Sequence, residues 1–298
     1  MLYSAFGLNW KLPFVCPEMG ATVVTNNVDV TVCYGPAPAL PSGSAGAGPF
    51  QQVTPTVAHF RFPEIASYLV EQGNRITIEP EDGATEAQLR LFLLGTAISL
   101  LLHQRGLLPF HASGICTSHG AVLFAGHSGF GKSTLLATFL ARGYGMLTDD
   151  LAAIGFTDAG QPFVYPGYPQ IKLWADSANE LDQSTDKLRR IRPELDKFAV
   201  PLTQEIDRSP IPLHAIYALT PYNGNYPTLE PLTDARKFNI FLDHTWQKLA
   251  LKRMGRHADH FRQSVAVANQ VKVRHVNRPE KPFMLQELAN LIEADFVL

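Results

Sequence analysis

Ala121-Val122-Leu123-Phe124-Ala125 is an unbroken apolar run of strand length that leads directly into Gly126-His127-Ser128-Gly129-Phe130-Gly131-Lys132-Ser133. A helical segment, Thr134 to Arg142, follows and stops at Gly143. A loop of the pattern GxxxxGK[ST] between a buried strand and a helix constrains this chain more than any other feature. Strand and helix must pack so that the loop's N–H groups converge on an anion at the helix N-terminus. From residue frequencies the pattern alone arises in roughly 1% of chains this long, before the strand and helix are required.

Each residue type has its own reason. Gly126, Gly129 and Gly131 let the backbone take positive φ and turn its N–H groups toward phosphate oxygens. Lys132 reaches β and γ phosphates as a mobile point charge, and the Ser133 hydroxyl suits Mg²⁺. His127, Ser128 and Phe130 fill the variable positions, where they supply shape or a phosphate hydrogen bond. With Thr134 in the first helical turn, these residues form the expected nucleotide-binding set, and ATP with Mg²⁺ is the expected ligand.

After the helix, Tyr144-Gly145-Met146-Leu147-Thr148 reads as a short strand ending in Asp149-Asp150. Carboxylates at the carboxyl end of a strand beside the phosphate-loop strand are where α/β sheets place metal-binding and proton-accepting groups. Adjacent residues point to different sides, so one can hold the metal through water while the other takes a substrate proton. Upstream, Leu108 to Gly114 reads as the start of a strand paired with the phosphate-loop strand, and His111 within it reads by itself as a core histidine.

The rest of the chain supplies context. Of its 298 residues 46% are hydrophobic and 17% charged, which suits a packed globular protein. The net charge of −2 lacks the basic excess that phosphate-backbone binding uses, so no nucleic-acid partner is expected. Cys16, Cys33 and Cys116 show neither disulfide-framework nor zinc spacing, and the N-terminus lacks a signal-peptide pattern. The longest apolar stretch, Leu91 to Leu102, is too short for a membrane span. A cytoplasmic protein without a membrane partner is expected.

β-like runs at 21–25, 28–32, 58–62, 67–70 and 75–79 predict an antiparallel N-terminal part, its first two strands forming a hairpin. The Gly/Pro/Ser-rich stretch 35–48 reads as a loop. Thr85 is placed to cap a helix through Leu100 that should be buried in the following unit, and a last helix is expected from Leu285 to Ala294. The expected division is a β-rich domain, 1–83, and an α/β P-loop catalytic domain, 84–298. Of the basic residues after the Asp pair, Lys187, Arg189, Arg190 and Arg192 read mostly as a solvated face, and Arg253 and Arg256 lie later. Lys197 is the chosen functional member. His257 and His260, three apart, read as surface residues without a third metal ligand.

His111, the loop 126–133, Arg142-Gly143-Tyr144 and Asp149-Asp150, in this order and at these separations, resemble the catalytic domain of the HPr kinase/phosphorylase family. That family phosphorylates a seryl hydroxyl of a small carrier protein, and its nucleotide site is similar to that of phosphoenolpyruvate carboxykinases. The resemblance implies a fold of that type and an oligomer. It places His111 on the active-site histidine, Lys132 on the loop lysine, Ser133 on a magnesium ligand, Asp150 on the acceptor of the seryl proton and Asp149 on its acidic neighbour. The chain departs from the carrier-protein enzymes in having Thr134 where they have Glu, and no Glu in Val164 to Trp174 where they have a metal-binding one. Leu101 to Pro109, Pro166-Gly167-Tyr168-Pro169 and Lys172-Leu173-Trp174 are similar to shorter bacterial HPr kinase-like proteins, some of which phosphorylate the C-terminal serine of lasso-peptide precursors. The expected activity is therefore an ATP-dependent serine kinase acting on a peptide or small protein. A kinase of a small hydroxylated metabolite, and a nucleotide-gated binding module without transfer, stay open as alternatives.

Overall fold

The computed structural model describes residues 1–20, 23, 25–41, 51–175, 188–190, 196–202, 208–233, 235–281 and 284–297. The chain forms two compact units, Met1–Pro109 with Thr245–Gln263, and Phe110–His244 with Ser264–Leu298. Among the described residues no helix is long and apolar enough to cross a membrane.

Unit one is built on a sheet of β1 (Leu2–Ala5), β2 (Leu8–Lys11), β3 (Val30–Tyr34), β4 (Gln51–Val53), β5 (Val57–Phe62), β6 (Ala66–Glu71) and β7 (Arg75–Pro80). Their order is β1-β2-β3-β7-β6-β5-β4. Alternating residues such as Ala66, Tyr68 and Val70 turn inward with the period of a half-buried strand. The sheet is mixed, not antiparallel throughout: β3 runs parallel to both β2 and β7. β3 pairs with β2 at Val30 and Thr31 and with β7 from Thr31 to Tyr34; of the other arm of the expected hairpin, 21–25, positions 21, 22 and 24 lie outside the described residues. Most of the expected 35–48 loop, from 42 onward, also lies outside them.

The helix expected from Thr85 packs in unit one rather than in the unit that follows. It runs as α1 (Glu86–Phe92), a wider π-helical turn (Leu93–Ala97) and α2 (Ile98–Gln104). Thr85 closes a reciprocal capping box with Gln88, satisfying two otherwise orphaned N–H groups. The Tyr68 hydroxyl on β6 donates to the Leu89 carbonyl, which ties the helix to the sheet. The compact units accordingly part between Pro109 and Phe110, and the end of the β-rich run near Gly83 falls inside unit one.

Segment 245–263 returns to this unit through buried polar contacts. His103 Nε2 donates to the Trp246 carbonyl at 2.7 Å and Gln263 Nε2 to the Gly106 carbonyl at 2.7 Å, and within the segment His260 Nε2 lies 2.8 Å from the Thr245 hydroxyl. His260 is thus buried, against its expected surface position, because it faces inward on a helix that leaves His257 exposed. Burial pulls the pKa of each of these two imidazoles down to about 4 from 6.5. The unfolded chain therefore takes up these protons first as pH falls below about 6.5, and stability is lost down to about 4. At about 1.4 kcal/mol per unit, each histidine removes up to about 3 kcal/mol over that window. The urea midpoint should fall steeply between pH 6.5 and 4 and flatten in a His103→Gln/His260→Gln variant. A wild-type midpoint constant over this range would contradict the buried neutral histidines.

Unit two begins as the chain leaves β8 (Leu108–Phe110) and enters β9 (Ala112–Thr117), β10 (Gly120–Ala125) and α3 (Lys132–Ala141). Next come β11 (Gly145–Thr148), β12 (Ala152–Phe156), β13 (Pro162–Tyr165), β14 (Gln170–Trp174), β15 (Arg189–Arg190) and β16 (Lys197–Pro201). β17 (Ile211–Tyr222), β18 (Thr228–Pro231), a helix Ala235–His244, β19 (Lys272–Pro279) and a C-terminal helix Leu285–Val297 complete it. The main sheet runs β11-β9-β10-β17-β13-β12, with β19 also on β17 and β18 on β19.

Every residue of β10 is buried, as an uninterrupted apolar strand requires when both faces are covered. It lies antiparallel to β9 and parallel to β17, and β17 is parallel to β19. Leu135, Leu136 and Phe139 of α3 pack with Phe124 and with Leu288, Ile292 and Phe296 of the C-terminal helix. The Phe124 and Phe139 rings stack at 5.4 Å. At the far end Gly143, at φ 92°, terminates α3, with its N–H on Leu140 O and the Tyr144 N–H on Phe139 O. The architecture is mixed α/β with three sheets among the described residues.

Candidate active site

The backbone at Gly126, Gly129 and Gly131 takes φ of 153°, 86° and 89°. Such values are open to glycine and strained for a residue with a Cβ, and they bend the chain from β10 into the first turn of α3. Lys132 folds back over this loop. Its Nζ donates to the carbonyls of Gly126 at 2.8 Å and His127 at 3.1 Å. Burial lowers its pKa to about 8, with the Asp150 and Asp149 carboxylates acting against that shift.

Arg278 on β19 braces the loop from outside. Its Nε donates to Phe130 O at 3.0 Å and its Nη2 to Gly129 O at 3.4 Å. Two carbonyls of the loop are thus engaged by a guanidinium, and the Phe130 N–H donates to the His127 carbonyl within the loop at 3.1 Å. His127 and Phe130 use their side chains for packing: their rings meet edge to face at 5.3 Å, and His127 also meets His244 at 5.1 Å.

β11 ends beside β9 and brings the Asp pair to the loop. The 3% exposed Asp149 accepts from Ser133 Oγ at 2.8 Å, from Ser113 Oγ at 2.6 Å and from the Lys172 main-chain N–H at 2.8 Å. Asp150 turns the other way, with φ at 74°, a left-handed conformation that asparagine and aspartate tolerate better than most residues. Its Oδ2 accepts from Lys172 Nζ at 2.9 Å and its Oδ1 lies 3.3 Å from His111 Nδ1. Burial by itself would raise the pKa of Asp150. Lys172, His111 and Lys197 overcome that and hold it far below the ordinary carboxylate range, while Asp150 in turn pushes the Lys172 ammonium up.

Burial pushes the His111 pKa down, against the pull of Asp150. Its Nδ1 also lies 2.9 Å from the Asp150 carbonyl, and the main-chain N–H of His111 donates to the His244 carbonyl at 2.6 Å. Carbonyl and carboxylate are both acceptors, so the neutral ring carries its proton on Nδ1 rather than on Nε2.

His111, Ser128, Gly129, Gly131, Lys132, Ser133, Thr134 and Asp150 line one hollow together with Lys172, Trp174 and Lys197. Asp149 stands directly behind it on Ser133. Lys197 pairs in register with Trp174, its ammonium 5.8 Å from the indole centroid. Three further basic candidates, Arg190, Arg256 and Arg142, have partners of their own. Arg190 pairs with Asp196 in solvent, Arg256 donates to the Gln104 carbonyl in unit one, and Lys187 and Arg192 are outside the described residues. Arg142 and Tyr144 both bind Glu293 and anchor the C-terminal helix.

Among the described residues no three His, Cys, Asp or Glu side chains are grouped to hold a metal ion. The site's oxygen donors are the Ser133 hydroxyl with the Asp149 carboxylate behind it. That set fits Mg²⁺, which takes one or two protein oxygens and completes its shell with substrate phosphates and water.

The sequence reading did not assign roles to Lys172, Ser113 or Arg278. For Lys172 a signal existed, a single cation in an otherwise uncharged strand, Gln170-Ile171-Lys172-Leu173-Trp174. Ser113 stands two residues after His111, the spacing at which strand residues share a face. Nothing local marks Arg278, which comes from far along the chain.

No family model matches this chain, and no curated protein matches it. Among solved structures it is similar to the Hpr(Ser) kinase/phosphatase from Coxiella burnetii, at 12% identity and a TM-score of 0.30, over 63% of this chain and 90% of that one.

Proposed function

We propose that this chain is an ATP-dependent kinase that transfers the γ-phosphate to a seryl hydroxyl of a peptide or small protein. The observation that carries this reading is the division of labour between the two aspartates. Asp149 is tied to the phosphate-loop serine, whereas Asp150 faces the same hollow from the other side with His111 and Lys172. A site for nucleotide binding alone needs the first carboxylate and has no use for the second.

In the transfer, the seryl oxygen attacks the γ-phosphorus and the bond to the β–γ bridging oxygen breaks, its electron pair leaving with ADP. Asp150 orients the hydroxyl and receives its proton. Lys132 and the loop N–H groups hold the β and γ phosphates, and Arg278 keeps the loop in shape. Ser133 and Asp149 would hold Mg²⁺, which would supply neutralising charge to the phosphates. The motifs shared with HPr kinase-like proteins support a seryl acceptor, on a carrier protein or a precursor peptide ending in serine.

The test is incubation with γ-labelled ATP, Mg²⁺ and a panel of seryl peptides and small proteins, followed by mass spectrometry. A gain of one phosphate on serine is expected. ATP hydrolysis without label on any acceptor would instead support a nucleotide-gated binding module, and label on a small hydroxylated metabolite would reassign the acceptor.

A further inference from the structure

Lys172 holds both aspartates at once, by chemically separate means. Its main-chain N–H donates to Asp149 Oδ2 at 2.8 Å, and its Nζ donates to Asp150 Oδ2 at 2.9 Å. The first contact belongs to the backbone of β14 and survives any change of side chain. The second belongs to the ammonium alone. Lys172 is 13% exposed and Asp150 22%, so this pair is shielded from solvent screening.

Asp150 is also the one member of the site whose backbone sits in the left-handed region without being glycine. A conformation of that kind persists where the surroundings over-determine it. Two groups do so here. His111 Nδ1 takes the main-chain carbonyl and Lys172 takes the carboxylate. With Oδ2 held by Lys172, Oδ1 is the oxygen turned to His111 at 3.3 Å. The remaining charged groups acting on Asp150 and Lys132 in this hollow are Lys197 and Asp149.

We infer that Lys172 is a positioning residue that fixes the Asp150 carboxylate toward the acceptor and contributes little to nucleotide binding. This rests on the phosphotransferase reading of the site. Lys132, the loop and Ser133 bind the nucleotide from the α3 side, and Asp149 keeps its β14 contact through the main chain, so loss of the ammonium should separate the two functions.

The test uses the full chain, MgATP binding followed with a fluorescent ATP analogue, and ATP turnover with water or a seryl peptide as acceptor. Lys172→Met should bind MgATP within about threefold of wild type and lose about 30-fold or more in kcat, as expected when a catalytic group is misplaced. Lys172→Arg, which can still donate to a carboxylate, should recover about tenfold of that loss. Lys172→Met/Asp150→Asn should be no slower than Asp150→Asn alone, because both changes act on one carboxylate. Wild-type kcat in Lys172→Met, binding that falls in step with kcat, or additive losses in the double variant would each overturn the assignment while leaving the kinase reading in place. A wild-type protein that neither binds nor turns over MgATP would overturn the kinase reading and this assignment with it.

Discussion

Asp150→Asn is expected to lower phosphoryl transfer by about 10²-fold while leaving MgATP affinity within a few-fold of wild type. Asparagine is the informative replacement at this position. Like aspartate it tolerates the φ of 74°, and its amide oxygen can still accept from Lys172, so backbone and packing are kept and the charge is removed. Alanine would add left-handed strain and confuse the two effects. The size of the loss follows from the electrostatics. General-base contributions span about 10² to 10⁴, and a carboxylate held far below its usual pKa by Lys172 and His111 is a weak base, which places it at the lower end. In the proposed reaction its work is mainly to orient the hydroxyl and to receive the proton late. Single-turnover transfer from labelled ATP measures this directly, and a variant as fast as wild type would remove Asp150 from the reaction.

Lys132→Met should weaken MgATP binding by about 10²-fold and abolish detectable transfer, because it deletes the one ammonium folded over the phosphate loop. It also leaves the Gly126 and His127 carbonyls without that donor, so the loop itself loosens. The wild-type pH profile provides a second measure. Burial brings the Lys132 pKa down to about 8, so the charged form is lost above that pH. Second-order turnover, kcat/KM for MgATP, should fall about tenfold per pH unit on that limb. In Lys132→Arg the guanidinium stays charged at every accessible pH, and the basic limb should vanish even though the fit to phosphate is poorer. A basic limb that persists in the arginine variant would belong to another group.

Within the stretch from Ala121 to Asp150, the strand, the glycines, Lys132, Ser133 and the Asp pair could be placed from the sequence because their geometry is set locally. Apolar residues on both faces call for a central strand, glycines open positive φ, and a loop before a helix exposes N–H groups, whatever the rest of the chain does. The spacing of His111 from that stretch was legible for a related reason: β9 and β10 are neighbours in sequence and pair directly, Ala112 opposite Ala125.

What lies opposite the loop was decided by tertiary structure. Lys172 reaches the aspartates because its backbone N–H meets Asp149 and its side chain meets Asp150, and Lys197 arrives because β16 pairs with β14 at Trp174. Arg278 reaches the loop because β19 runs parallel to β17, which itself lies beside β10. The division of the chain between Pro109 and Phe110, the return of 245–263 to unit one and the parallel insertion of β3 between β2 and β7 are long-range in the same way. The physical reason is common to all of them. A residue's own φ/ψ preferences and hydropathy act over a few neighbours, whereas the choice of a distant strand partner depends on which pairing of the whole chain buries the most apolar surface for its loop-closure cost. This sequence therefore carried by itself the glycine loop and the side chains, Lys132, Ser133, Asp149 and Asp150, on which the proposed phosphate site is built. Only the folded sheets decided which cation faces Asp150.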